Sequence, residues 1–343
     1  GEEDGYTYAR LGNPTVASME VRLAALEGAE ACIATSTGMS AILLMCLGLL
    51  KSGDHVICSH SMFGSTIKLI GSEFAKFGVQ TTFVSQTQVA EWKAAMQPNT
   101  RLLFAETPTN PLTEVCDIKA LAEIAHAGHA LLVVDNCFAT PVNQRPIDFG
   151  ADLVVHSATK WIDGQGRVLG GVVVGKKELI KNIYLFCRST GPALSPFNAW
   201  LLSKSIETLD VRMERHASNA LFIAEALENH AAIATLRYPF LASHPQHAIA
   251  IKQMKDGGGI VCFELKGGLE AGRQFLNRLK MLSLTANLGD TRSIASHPAS
   301  TTHARLSEAE RQAVAITPGL IRISVGLEHE EDILNDILQA LEA

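Results

Sequence analysis

Short apolar runs rich in β-branched residues alternate with amphipathic stretches through the first half of the chain. The runs Ala31–Thr35, His55–Ser59, Gln80–Val84, Arg101–Glu106, Leu131–Val134, Leu153–Val155 and Gly171–Val174 predict strands. Helical spacing predicts helices from Gly38 through the apolar stretch ending at Leu50, and over Ser65–Phe77, Val89–Met96 and Ile118–Ala127. A first helix is expected to start at Thr15 as its cap and to run to Leu26, with Val16, Met19, Leu23 and Leu26 on one face. Strands that are apolar throughout, separated by helices, predict an α/β architecture whose mostly parallel sheet is covered on both faces. Ligands of such sheets bind beyond the carboxyl ends of the strands.

After Gly191 the pattern changes. Arg188–Asn198 is loop-rich, and the helical stretch from Ala199 to about Asn229 is too long to lack a kink. Strands are expected at Gly259–Leu265 and Leu320–Val325, with helices at Glu270–Lys280 and Glu330–Leu341, which together suggest a smaller α+β domain. The expected division is a polar arm over 1–15, a large domain over 16–205 and a small domain over 206–343. The opening residues read as the interior of a longer chain.

Of the 343 residues, 47% are hydrophobic and 19% charged, enough apolar material for a large core. A net charge of −6 gives no general reason to expect nucleic acid or an anionic membrane as partner. The apolar stretch Ala41–Leu50 is too short to span a bilayer, and the start carries no secretory signal. None of the 7 cysteines forms a Cys-x-x-Cys pair. They read as reduced core residues, so a cytoplasmic protein is expected. His297 and His303 stand at no recognised ligand spacing, and no metal site is expected.

Three polar clusters fall at the predicted strand ends on one edge of the sheet: Asn110, Asp135, and Ser157-Ala-Thr159-Lys160. Lys160 is either a solvated charge just past a strand or a partly desolvated, reactive amine. The small and hydroxylated residues leading into Gly38 either cap an ordinary helix or seat an anion on its N-terminus. Arg322, alternating with apolar neighbours, either points to solvent or clamps a carboxylate. A lysine, a carboxylate and an anion seat on one edge are the parts a pyridoxal phosphate site requires, with an arginine to hold the amino-acid carboxylate. A nicotinamide fold would want a Gly-x-Gly-x-x-Gly loop, but in Gly164-Gln-Gly-Arg-Val-Leu169 the third glycine is leucine.

Asp152–Gly166 resembles throughout the lysine signature of the Cys/Met metabolism family of pyridoxal phosphate enzymes. The resemblance extends to Tyr8–Thr15, Ser36–Met39, Glu106–Pro111, His297–Ser300 and Ile321–Glu328, and so covers essentially the whole chain. It implies an aspartate aminotransferase-like, fold type I large domain. It also implies that Lys160 carries the cofactor, that Asp135 meets the ring nitrogen and that Gly38, Met39, Ser157 and Thr159 hold the phosphate. By the same resemblance, Asn110, Asn287 and Arg322 lie at the substrate. Tyr8 and Arg10 match residues that reach a neighbouring subunit's phosphate, implying dimers with shared sites paired into a homotetramer. Relatives commonly place tyrosine over the ring where this chain has Phe63, which stacks without a phenol to donate. Methionine γ-lyases have cysteine at Ser65, and many lyases have serine at Asn287. These departures, with Gly164–Gly171 and Thr190–Trp200, resemble the O-succinylhomoserine sulfhydrylase branch. That branch implies γ-replacement: an O-acylhomoserine and sulfide give homocysteine. Cystathionine γ-synthase, a γ-lyase and a non-catalytic regulator of the same fold are the rival readings.

Overall fold

The computed structural model describes residues 5–301, 311 and 314–342. Among these the larger sheet has 7 strands: β1 (Ala31–Thr35), β2 (His55–Ser59), β3 (Gln80–Val84), β4 (Thr100–Glu106), β5 (Leu131–Asp135), β6 (Leu153–Ser157) and β7 (Gly171–Gly175). Their spatial order is β1-β7-β6-β5-β4-β2-β3. The pairs β2·β3, β2·β4, β4·β5 and β5·β6 are parallel, whereas β7 runs antiparallel to both β1 and β6. Buried clusters cover both faces, one built on Leu44, Met45 and Phe104 and the other on Trp92, Leu103 and Leu132. That two-sided burial is why β2, β5 and β6 read as continuous apolar runs.

The helices set among these strands are α1 (Pro14–Glu27), α2 (Gly38–Leu49), α3 (Gly64–Lys68), α4 (Val89–Ala94), α5 (Ile118–Ala127) and α6 (Thr140–Asn143). Two expectations for α1 are corrected. Its cap is Asn13, whose side chain accepts the Thr15 N–H at 3.0 Å, with Pro14 at the first helical position. Leu26 is exposed, and Glu27 lies buried in its place. The expected single helix over Ser65–Phe77 changes winding twice, from α3 to a π turn at Leu69–Glu73 and a 3-10 turn at Phe74–Phe77.

Helix α7 (Lys177–Thr190) follows β7 and packs against α2. The long helical stretch is two helices, α8 (Pro196–Ile206) and α9 (Leu209–Leu227), broken at Glu207-Thr208. Beyond α9 lies a sheet of 5 strands in the order β10-β11-β12-β9-β8. These are β8 (Ile233–Arg237), β9 (Ile260–Leu265), β10 (Ser283–Leu284), β11 (Ile294–Ser296) and β12 (Leu320–Ser324). Helices α10 (His247–Gln253) and α11 (Gly268–Arg278) and the helix Glu330–Leu341 complete this part. Strand β8 lies on the sheet edge with much of its length exposed, so it lacks the apolar run that announces β9 and β12. No helix among the described residues is long and apolar enough to cross a membrane.

Candidate active site

Strands β4, β5 and β6 end side by side, and their last residues begin the site. Asp135 closes β5 in register with Glu106 at the end of β4 and with Val155 on β6. Two residues past Val155, β6 ends at Ser157, and a tight turn presents Lys160, whose N–H bonds Ser157 O at 3.2 Å. Gly164, at φ 74°, lets the chain leave that turn and donates to Lys160 O at 2.8 Å. Thr159 is held by Gly170, whose N–H reaches its Oγ1 at 3.2 Å.

The Lys160 amine is not solvated at a strand end. Its Nζ donates to Asn287 Oδ1 at 2.7 Å. Burial pushes its pKa below the ordinary lysine range; the neighbouring Cys137 opposes this and the Arg322 charge adds to it. Arg322 does not point to solvent either: it is 1% exposed. Its guanidinium donates to Asn110 Oδ1 at 2.9 Å and to the main-chain oxygen of Asn287 at 2.8 Å, which brings Asn110, Asn287, Lys160 and Arg322 together. The Nε of Arg322 is buried without a protein partner, so one donor of the fork is left over.

Asp135 is buried and accepts the Cys137 N–H at 3.0 Å, with no ion-pair partner among the described residues. Burial pushes its pKa up to about 6, partly offset by Cys137 N–H and by His156. Its neighbour Glu106 is pushed up to about 8 by burial and by the Asp135 charge. Glu106 was not among the expected site residues, yet its two oxygens accept the N–H groups of Phe63, at 2.8 Å, and Asn110, at 2.9 Å. Only its position as the last residue of a β-run before Thr107-Pro108 signalled it. Behind Asp135 lies a second group that the sequence did not announce. Glu27 pairs with His156, both fully buried, and accepts from Asn136 Nδ2 at 3.2 Å.

The anion seat is the start of α2. Thr37 and Ser40 cap each other, with Thr37 Oγ1 accepting the Ser40 N–H at 3.0 Å. The N–H groups of Gly38 and Met39 then have no partner within the helix. A Cβ added at Gly38 would lie 2.8 Å from the Cβ of Ser157, and one added at Gly171 would lie 2.0 Å from Thr37 O. The helix start is therefore pressed directly onto β6 and β7, beside the Ser157 hydroxyl. Met39 is tied to α3 through Thr66 Oγ1 at 3.9 Å, and Phe63, 39% exposed, stands just before that helix.

Tyr8 and Arg10 keep other company within the chain. Arg10 lies over the Tyr8 ring, 5.4 Å from its centroid, and donates to Arg188 O on α7, while Tyr8 is exposed. Arg188 itself is exposed and lies over the Tyr184 ring at 5.7 Å. Cys137, expected in the core, is only half-buried and follows Asp135 closely. His297 is spent on Ser300 and Pro318 O, both at 2.8 Å, and His303 lies outside the described residues.

The chain matches the family described as Cys/Met metabolism PLP-dependent enzyme over residues 1–342. It is 51% identical to O-succinylhomoserine sulfhydrylase of Pseudomonas aeruginosa over 343 residues, which is 100% of this chain and 85% of the relative. It is 47% identical to L-methionine gamma-lyase of Fusobacterium nucleatum subsp. polymorphum over 344 residues, covering 99% of this chain and 87% of that one. The crystal structure of metB from Corynebacterium glutamicum superposes with a TM-score of 0.95 at 40% identity, covering 99% of this chain and 88% of that one. With the same fold, and with a desolvated lysine, a buried carboxylate and an anion seat along one sheet edge, this chain belongs to the Cys/Met metabolism family of pyridoxal-phosphate-dependent enzymes.

Proposed function

We propose that this chain catalyses γ-replacement on an O-acylated homoserine, with sulfide displacing succinate from O-succinylhomoserine to give homocysteine. The observation that carries the reading is the convergence on Asn287. Its side chain holds the Lys160 amine at 2.7 Å and its main chain holds Arg322 at 2.8 Å, so a proton-moving group and a carboxylate clamp share one pocket.

The residues present fit the family's cofactor. Asp135 is a buried carboxylate with no cation paired to it among the described residues, as a protonated ring nitrogen would require. The helix start at Gly38, closed by glycine contacts that exclude side chains, suits a dianionic phosphate. In this reading the Gly38 and Met39 N–H groups and the hydroxyls of Ser157 and Thr159 would hold that phosphate, Phe63 would cover the ring, and Lys160 would hold the cofactor through its amine. When bound, the cofactor draws off the electrons released as a proton leaves the substrate's Cα.

Arg322, with Asn110 and Asn287, holds the substrate carboxylate and so fixes which Cα bond breaks. Lys160, its pKa lowered by desolvation, takes the proton from Cα and then one from Cβ. Succinate departs from Cγ, sulfide adds there, and both protons return, so the sum is an ester and hydrogen sulfide giving a thiol and an acid. Phe63 has no phenol to share in these transfers.

Tyr8 and Arg10 are proposed to complete the phosphate site of a partner subunit within a homotetramer. The exposed apolar side chains of Leu169, Tyr184, Leu185, Phe197 and Trp200 support such contacts. The proposed domains span 16–205 and 206–343, and the proposed location is the cytoplasm. The likeness to L-methionine gamma-lyase supports a second reading, elimination without a nucleophile. Steady-state rates with O-succinyl- and O-acetylhomoserine, each with sulfide, with cysteine and with no nucleophile, test both. The proposal expects the highest kcat/KM for the succinyl ester with sulfide. A rate unaffected by added sulfide would overturn it.

A further inference from the structure

Helix α9 carries three polar side chains on one buried face, Arg212, His216 and Asn219, at spacings that align them along the helix. Their hydrogen bonds go to main-chain oxygens, except that Arg212 Nε donates to Thr208 Oγ1 at 3.2 Å. At one end, Arg212 donates to Trp161 O at 2.7 Å and to Ile162 O at 3.2 Å, the two residues directly after Lys160. At the other, His216 Nδ1 donates to Val325 O at 2.7 Å, and Asn219 Nδ2 donates to Gly326 O at 3.0 Å and to Glu328 O at 2.9 Å. These follow Arg322 at the exit of β12. His216 also meets the ring of Trp161 edge-on, with centroids 4.6 Å apart. Burial pushes its pKa down to about 4, so at neutral pH the ring is uncharged and its one proton sits on Nδ1, facing Val325.

One rigid helix thus grips the turn that carries Lys160 and the strand that carries Arg322. We propose that α9 is a strut that sets the Lys160–Arg322 spacing, with His216 and Asn219 as positioning residues for recognition of the substrate carboxylate and Arg212 as the positioning residue for the lysine turn. The proposal rests on the reading of Arg322 as the carboxylate clamp. It assigns the two ends of one helix face to two separable properties. Loosening the Asn219 end lets Arg322 drift while the cofactor turn stays put. Loosening the Arg212 end does the reverse.

The test uses the holoenzyme and the variants Asn219→Ala, His216→Phe and Arg212→Lys. His216→Phe keeps the ring against Trp161 and removes only the donor. Three quantities are measured: the cofactor's dissociation constant by equilibrium dialysis, kcat and KM for O-succinylhomoserine, and the preference for it over the succinyl ester of 3-aminopropan-1-ol, which lacks the carboxylate. Asn219→Ala and His216→Phe are expected to raise KM and shrink that preference about tenfold, leaving kcat and cofactor affinity within about threefold. Arg212→Lys is expected to weaken cofactor affinity about tenfold and to leave the preference intact. If the wild type shows the preference and both small-sheet variants keep it, the strut is overturned while the clamp stands. If they lose cofactor affinity in step with KM, the strut is likewise overturned. A wild type with no preference overturns the clamp, and the strut with it.

Discussion

Lys160 Nζ donates a 2.7 Å hydrogen bond to the side-chain oxygen of Asn287. A neutral amide at that point stabilises the amine without adding charge, so burial remains free to hold the lysine below its ordinary range. A carboxylate there would favour the ammonium and raise the pKa by about 1–3 units. Asn287→Asp is therefore expected to move the acid limb of the kcat profile, which reports the amine once substrate is bound, to higher pH by at least about one unit. A pH–rate series on the two proteins reads the shift, and coincident profiles would show that Asn287 does not tune the amine.

Replacing Lys160 tests the amine itself. Lys160→Ala removes the group that binds the aldehyde and moves both protons, so turnover is expected to fall by at least about a thousandfold. Borohydride reduction followed by peptide mapping is expected to label the 157–164 region in the wild type and nothing in the variant. An active Lys160→Ala enzyme would sink the assignment.

Glu106 bears on the site through Phe63 and Asn110, whose N–H groups take one oxygen each. Glu106→Gln keeps one acceptor and turns an amide N–H₂ toward the other donor. The cost of a buried donor without an acceptor is about 1–3 kcal/mol. Thermal unfolding is expected to show that loss, together with weaker cofactor binding measured by dialysis.

Charge burial also predicts how stability varies with pH in the cofactor-free protein. Burial raises Glu20 to about 7 and Glu106 to about 8, so between the ordinary carboxylate range and those values the folded state binds more protons than the unfolded chain. Stability then falls as pH rises, by at most about 1.4 kcal/mol per pH unit for each group. His216 and His244, held down at about 4 from an ordinary 6.5, act in the opposite sense below 6.5. Lys160, held low, also opposes the carboxylates at higher pH. The decline is therefore expected between about pH 6.5 and 7.5, and Glu20→Gln should flatten it. A melting series across that range decides; an unchanged slope in the variant would remove Glu20 as a cause.

The sheet and its catalytic edge were legible because β5 and β6 are buried on both faces. Their apolar runs end sharply, and the polar residues that close them, Asp135 on β5 and Ser157 to Lys160 on β6, must lie on one edge. Arg322 was ambiguous, since a charge between apolar neighbours is equally compatible with either face of a strand. Only its tertiary partners, the Asn110 side chain and the Asn287 main chain, place it inside. Glu27 and His156 were illegible for a different reason: they stand 129 positions apart and carry no local pattern. The α9 face was hidden because polar residues three and four apart on a helix ordinarily mark its solvated side. In the sequence the break at Glu207-Thr208 reads only as a kink. At the start of α1, Asn13 competes with Thr15, an equally good capping residue two positions on, and only the backbone geometry separates them.

At the anion seat Gly38 is pressed against Ser157 and Gly171 against the main-chain oxygen of Thr37, so neither glycine has room for a Cβ. Little there can be adjusted by exchanging a side chain, because no side chain fits. Asn110, Asn287, Lys160 and Arg322 are instead linked largely through their side chains. On the proposed reading, a molecule built this way can change what it reacts with by single substitutions and keep its seat for a phosphate. The fixed half of the pocket serves as a socket, and the variable half is where new chemistry can be tried at little risk to the fold.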